Sequence, residues 1–179
     1  MGKKLEIGAG TNPQPGFIHT DIIPNPNNNP PLDYICDARD LPFGDREFSK
    51  VLMFGVFEHF GIFEIREALL EISRVLEAGG VFEFDVPDFD WFVHAYTTGK
   101  DKVTGLELRP FCNQEWVMRG IFGGQDGPGM FHKWGWNEKR LEALLRDPAF
   151  GFSEIRLIGR QRRDPESNHL IYRCVKEGS

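Results

Sequence analysis

Basic charge is in short supply: 21 Lys and Arg stand against 27 Asp and Glu, a formal net charge of -6. General affinity for nucleic acid or an anionic membrane needs a basic face, so neither is expected. The one local concentration, Arg156, Arg160, Arg162 and Arg163, reads as an exposed charged turn. Long apolar runs are missing as well, and none approaches the roughly 20 residues of a membrane span. Met1-Gly2-Lys3-Lys4 passes straight into a strand-like run without a signal-type apolar region. Glu6 stands where a myristoylation start would need Ser or Thr. Cysteine is scarce. Cys36, Cys112 and Cys174 are odd in number and far apart, which fits reduced thiols in a cytoplasmic protein better than a disulfide framework or a zinc site. His19, His94 and His169 show no metal-like spacing with one another or with the cysteines, so no metal is expected.

What is present is apolar material for a core. The 179 residues are 40% hydrophobic and include 16 Phe and 4 Trp, enough for a single domain and too few for two full-sized ones. Strand-like runs occur at Lys4–Ile7, Phe17–Ile22, Tyr34–Cys36, Ser49–Phe54, Val81–Val86, Ser153–Ile158 and His169–Val175. Helical period marks Glu64–Leu76, where Ile65, Leu69, Ile72 and Leu76 share a face, with Gly79-Gly80 as its stop. It also marks Glu138–Arg146, with Asn137 as N-cap. Strand, helix and strand in succession imply an α/β fold with a mostly parallel sheet, and the charged link Gly159–Asn168 suits a final antiparallel strand.

Two spacers are too short for that pattern. Six residues, two of them Pro, separate Gly10 from Phe17, and Pro24–Asp33 holds four Pro and four Asn. Neither can hold a crossover helix, so helices are reduced on one sheet face. That face is expected to be thinly covered or covered by a partner, a second copy of the chain included. Residues 3–86 form a ligand-binding half, 87–136 an aromatic and Gly-rich cap, and 137–179 the closing helix and strands.

The strand Leu5-Glu6-Ile7 runs into Gly8-Ala9-Gly10, and the next strand ends in Asp21. Glycines there let a ligand approach the backbone, and the acid can accept from vicinal ribose hydroxyls. A nucleoside-containing cofactor is one reading; an ordinary turn with Asp strand-end caps is the other. Asn12-Pro13 occupy the place of a third glycine and no helix follows, which disfavours a pyrophosphate-binding oxidoreductase.

Taken in order, four blocks resemble the class I S-adenosylmethionine-dependent methyltransferases, and most of all a small bacterial subgroup of the broad type 11 set. They are Leu5–Gly10; His19-Thr20-Asp21; Cys36–Phe43 with Phe48–Phe54 and Glu58-His59; and Glu71–Val81. The resemblance implies a Rossmann-like sheet with S-adenosylmethionine at its strand ends. In that case Gly8, Ala9 and Gly10 turn beneath the methionyl end, and Glu6 stabilises the ammonium. Asp21 and Ile22 lie at the ribose, Asp37 and Ala38 at the adenine, and Phe54, within Met53–Val56, near the sulfonium.

Methyl transfer is an in-line displacement, so the protein positions an acceptor and, for a hydroxyl or amine, removes a proton. His59, beside Glu58 after the fourth strand, and His132, in the aromatic cap, are the candidates for base or acceptor-orienting group. Their alternatives are a helix cap and a lid packed by aromatics. Asp88 and Asp90 are weaker candidates. Trp91, Phe92, Trp116, Phe131, Trp134 and Trp136 either line an acceptor pocket or belong to the core. The expected activity is methyl transfer to oxygen or nitrogen of a small molecule, a sugar or other metabolite. The alternative is a non-enzymatic cofactor-binding subunit of a larger assembly.

Overall fold

The computed structural model describes residues 2–24, 31–108, 114–125, 127, 129–161 and 168–178. Cys112, Arg162, Arg163 and most of the Pro24–Asp33 link lie outside them. Seven strands form one sheet: β1 (Lys3–Ile7), β2 (Ile18–Asp21), β3 (Tyr34–Ile35), β4 (Phe48–Met53), β5 (Leu76–Pro87), β6 (Phe152–Gln161) and β7 (His169–Lys176). Their order is β3-β2-β1-β4-β5-β7-β6. The first five run parallel, and β7 is antiparallel to both of its neighbours. Chain order reverses between β1 and β4, which opens a crevice at the carboxyl ends of those two strands, the usual ligand position of an open α/β sheet.

Alternation along the strands sorts the two faces. Leu5, Ile7, Val51, Met53, Phe82, Phe84, Tyr172 and Cys174 belong to the main apolar core. Helix α1 (Ile62–Val75) adds Ile65, Leu69, Ile72 and Val75 to it. A fourth helix, α4 (Glu138–Leu145), adds Leu141, Leu144 and Leu145, and its N-cap Asn137 accepts from the Arg140 amide at 3.0 Å. Burial in this layer raises the Cys174 thiol to about 12 and keeps it inert.

The opposite face is charged. Neighbouring registers align Lys50, Leu52, Glu83 and Arg173 there. Glu83 takes Lys50 Nζ at 2.6 Å on one oxygen and Arg173 Nη2 at 2.6 Å on the other. The expected loss of helices therefore meets a face whose side chains satisfy one another across strands. The link from Gly8 to Phe17 is indeed non-helical, and buried Glu6 fastens it: its Oε2 accepts from the Gln14 amide at 2.7 Å and from His19 Nδ1 at 2.9 Å.

One element ends earlier than its residues suggest. Helix α1 stops at Val75, and Leu76 is already extended and paired with Phe48. Gly79-Gly80 instead shape an irregularity inside β5, where the register shifts between Phe48 and Lys50. Gly79 has φ +77°, and a Cβ on Gly80 would stand 2.8 Å from the Glu77 carbonyl oxygen, so the bend claims both glycines. Among its described residues the cap contains two helices, α2 (Phe89–Thr98) and α3 (Gln114–Phe122), which meet through a small cluster of Trp91, Phe92, Ala95 and Val117.

Candidate active site

At the end of β1 the chain folds back on β2, with the Gly8 and Ala9 amides both donating to the Thr20 carbonyl at 2.8 and 3.0 Å. Gly8 has φ +70°, and a Cβ there would lie 2.1 Å from Val56 Cγ2, so its missing side chain makes room for the β4 loop. At Gly10, φ +56°, a Cβ would meet only the Gly8 carbonyl oxygen, at 4.0 Å. The Gly10 amide donates to Asp21 Oδ2 at 3.1 Å, while Asp21 Oδ1 accepts from the Ile23 amide at 3.2 Å. Asp21 thus braces the glycine turn and keeps further acceptor capacity toward the crevice.

A cavity of about 560 Å³ fills the crevice, a volume ordinary for a small-molecule or cofactor site. Of the anticipated residues, Gly8, Gly10, Asp21, Ile22, Asp37, Ala38 and His59 line it. Five others do not, Glu58 and His132 among them. Glu6 is buried under the loop it fastens, Ala9 is turned inward, and within Met53–Val56 it is Gly55 and Val56, not Phe54, that stand in the wall. Asp37 is engaged by its neighbour: Arg39 donates through its amide at 2.9 Å, Nε at 3.0 Å and Nη2 at 2.7 Å. The guanidinium holds the Asp37 carboxyl below its ordinary range. Arg39 Nη1 reaches Glu64 at 3.5 Å, and Glu64 takes Lys133 Nζ at 2.9 Å. This chain of charges runs along the wall, and only the adjacency of Arg39 to Asp37 was visible in the sequence. Both cations of the wall are ion-paired, so among the described residues the cavity suits a nucleoside better than a pyrophosphate.

Glu58 and His59 sit in a short 3-10 turn after β4, and Glu58 is 4% exposed. His59 Nδ1 meets the Phe131 carbonyl at 2.9 Å, and His132 Nδ1 meets the Gly120 carbonyl at 3.0 Å. The rings stand edge to face, 5.1 Å between centroids, and His132 Nε2 is 3.9 Å from Glu58 Oε1. Burial lowers both imidazoles, His132 to about 4, with the nearby His59 adding to the effect. Burial thus favours the neutral form of each ring. The three residues lie beside a second cavity of about 310 Å³ that shares Gly55, His59 and Met130 with the first. Asp85, which the sequence did not single out, holds the junction: it accepts from the Gly55 amide at 2.6 Å and from His169 Nδ1 at 3.1 Å.

The remaining candidates have structural partners. Asp88 caps α2 and pairs with Arg160 at 2.6 Å, and Asp90 accepts from Asn137 Nδ2 at 3.0 Å. Arg160 also pairs with Glu138, and Arg156 with Glu154. Trp91 and Trp136 are core, whereas Phe131 lines the large cavity and Phe92 and Trp116 the smaller one.

A mostly parallel α/β sheet with its cavity at the switch point has the architecture in which open α/β folds place their ligands. Residues 5–84 match the family model described as a methyltransferase domain. The whole chain has the fold of the class I S-adenosylmethionine-dependent methyltransferases. A Thermotoga maritima S-adenosylmethionine-dependent methyltransferase is similar with a TM-score of 0.65 at 18% identity, covering 99% of this chain and 83% of that one. The Burkholderia thailandensis 1,6-didemethyltoxoflavin-N1-methyltransferase, solved with 1,6-didemethyltoxoflavin and S-adenosylhomocysteine bound, gives 0.61 at 18% identity, covering 98% and 71%. An uncharacterised protein of Methanocaldococcus jannaschii is 29% identical over 113 residues, 55% of this chain and 43% of its own length. The chain thus spans less than half of that curated relative. Among the described residues no helix is long and apolar enough to cross a membrane.

Proposed function

We propose that this chain is an S-adenosylmethionine-dependent methyltransferase that transfers a methyl group to an oxygen or nitrogen of a small molecule. The observation that carries the reading is the 560 Å³ cavity at the switch point, lined by Gly8 and Gly10, with Asp21 anchored at the rim. When bound, the cofactor supplies an electrophilic methyl group on a sulfonium. Asp21 accepts from the ribose hydroxyls, as its remaining lone pairs allow. Ala38, Ile22 and Val56 give the cavity apolar walls. Asp37, stiffened by Arg39, is a fixed carboxylate beside Ala38 and meets an adenine amine only through the capacity Arg39 leaves.

The adjoining 310 Å³ cavity takes the acceptor. Its size favours a metabolite over a macromolecular segment, and Trp116 and Phe92 offer aromatic surface. Glu58, His59 and His132 hold the acceptor atom and receive its proton, which puts the acid-base groups on the side shared by both cavities. S-Adenosylhomocysteine should bind with micromolar affinity and raise the melting temperature, while a nicotinamide dinucleotide should do neither. Calorimetry showing no binding of S-adenosylhomocysteine or S-adenosylmethionine would sink the proposal.

A further inference from the structure

Both histidines beside the second cavity are pinned in the same sense. Each directs Nδ1 at a backbone carbonyl, Phe131 for His59 and Gly120 for His132. A carbonyl can only accept, so each neutral ring carries its proton on Nδ1 and keeps a lone pair on Nε2. Metal-ligating imidazoles are commonly oriented in this way, with the non-ligating N–H donated to a carbonyl or carboxylate. The third member is a carboxylate, Glu58, whose Oε1 lies 3.9 Å from His132 Nε2. One donor atom from each of Glu58, His59 and His132 lies within 4.8 Å of the other two. Three atoms so spaced fit within about 2.8 Å of a common centre, so side-chain shifts of under about 1 Å bring all three to the 2.0–2.2 Å of zinc bonds.

We propose that Glu58, His59 and His132 form a two-histidine, one-carboxylate site for a divalent transition-metal ion, open toward the 310 Å³ cavity. Imidazole with carboxylate suits Zn²⁺, Fe²⁺ or Co²⁺ better than Mg²⁺ or Ca²⁺, which prefer oxygen donors. Three protein ligands leave coordination positions for the acceptor. The consequence for substrate class rests on the methyltransferase reading: the acceptor carries chelating oxygens, as in a vicinal diol or a hydroxy acid. With the ion bound, the three side chains hold the metal instead of receiving the proton, so an acceptor hydroxyl held there loses its proton to solvent and forms the new C–O bond, while the S–CH₃ bond breaks and its electron pair stays on sulfur. This replaces the expectation of no metal, which rested on spacing. Glu58-His59 precede the cap and His132 lies near its end in sequence, and folding brings them together.

The test is titration of the full chain with Co²⁺ in the absence of cofactor, followed by displacement with Zn²⁺. Expected are one Co²⁺ per chain and ligand-field absorption without a thiolate charge-transfer band. Binding should weaken at least tenfold in both His132→Ala and Glu58→Gln. Glu58→Gln retains shape, and the spectrum of the unaltered chain reads out the ligands even if His132→Ala does not fold. No binding, a thiolate band, or unchanged affinity in Glu58→Gln would each overturn the proposal. S-Adenosylhomocysteine binding by the metal-free chain tests the methyltransferase reading separately, so either can fail without the other.

Discussion

Removing the Asp21 carboxylate should separate cofactor binding from fold stability. In the structure this group already accepts from the Gly10 and Ile23 amides, at 3.1 and 3.2 Å, and so holds the turn that floors the cavity. Two ribose hydroxyls donating to it add charge-assisted bonds of about 1.5–3 kcal/mol each, together about 3–6 kcal/mol. Asp21→Ala should therefore weaken S-adenosylhomocysteine about 10²- to 10⁴-fold. The same change removes two loop bonds and should lower unfolding free energy by about 1–2 kcal/mol. Asp21→Asn keeps one acceptor and loses the charge, so it should fall between, near a tenfold loss. Isothermal titration calorimetry gives the binding series and urea unfolding the stability series. If Asp21→Ala binds S-adenosylhomocysteine within threefold of the parent while the loop loosens, Asp21 is a structural cap and the ribose assignment is wrong.

Arg74 reaches Glu71 through Nε and Nη2, each at 2.7 Å, and also the carbonyls of Leu41 and Phe43, fastening the loop after β3 to α1. This pairing lowers the Glu71 carboxyl below its ordinary 4.5. A depressed folded value stabilises above pH 4.5 and loses that contribution as pH falls through the folded value. Glu71→Gln should therefore be less stable at neutral pH and show a shallower acid loss in a melting-temperature series; parallel profiles would refute the linkage. Gly8→Ala sets a Cβ 2.1 Å from Val56 Cγ2 at φ +70° and should cost about 2–4 kcal/mol in chemical denaturation. Adding Val56→Ala should recover the overlap portion but not the backbone portion, and a single variant as stable as the parent would contradict the geometry.

The sheet was legible because its signals are local. Apolar runs ended in Gly8, Asp21 and Asp37, and those ends fell on adjacent strands. The α1 stripe Ile65, Leu69 and Ile72 also lay where periodicity put it. Its end was misjudged because two glycines resemble a helix stop, whereas here they bend a strand. Helices α2 and α3 were hidden by composition: Trp91, Phe92 and Val93 favour strands, and only the Asp88 cap and the left-handed Gly99 marked the ends of α2. Within the site, Asp85 and Lys133 were invisible because their roles depend on elements far apart in the chain. Glu6 was misplaced for a related reason. Its place beside the glycine turn suggested the cofactor, but only the fold shows that His19 and Gln14 reach it first.

The cross-strand ion pairs Lys50–Glu83–Arg173 leave one side of the sheet wet, and that redistributes local stability. The central strands are flanked by hydrogen-bonded neighbours and backed by the apolar layer. The β2–β3 lip has less: β3 is two residues long, pairs only with β2, and exposes both Tyr34 and Ile35. Amides of that lip should exchange with solvent by small openings that never reach global unfolding. Asp21 and Asp37 sit at its end, so a nucleoside that joins them to the glycine turn would also act as the missing brace, and occupancy of the cavity would be registered as slowed exchange along the edge of the sheet.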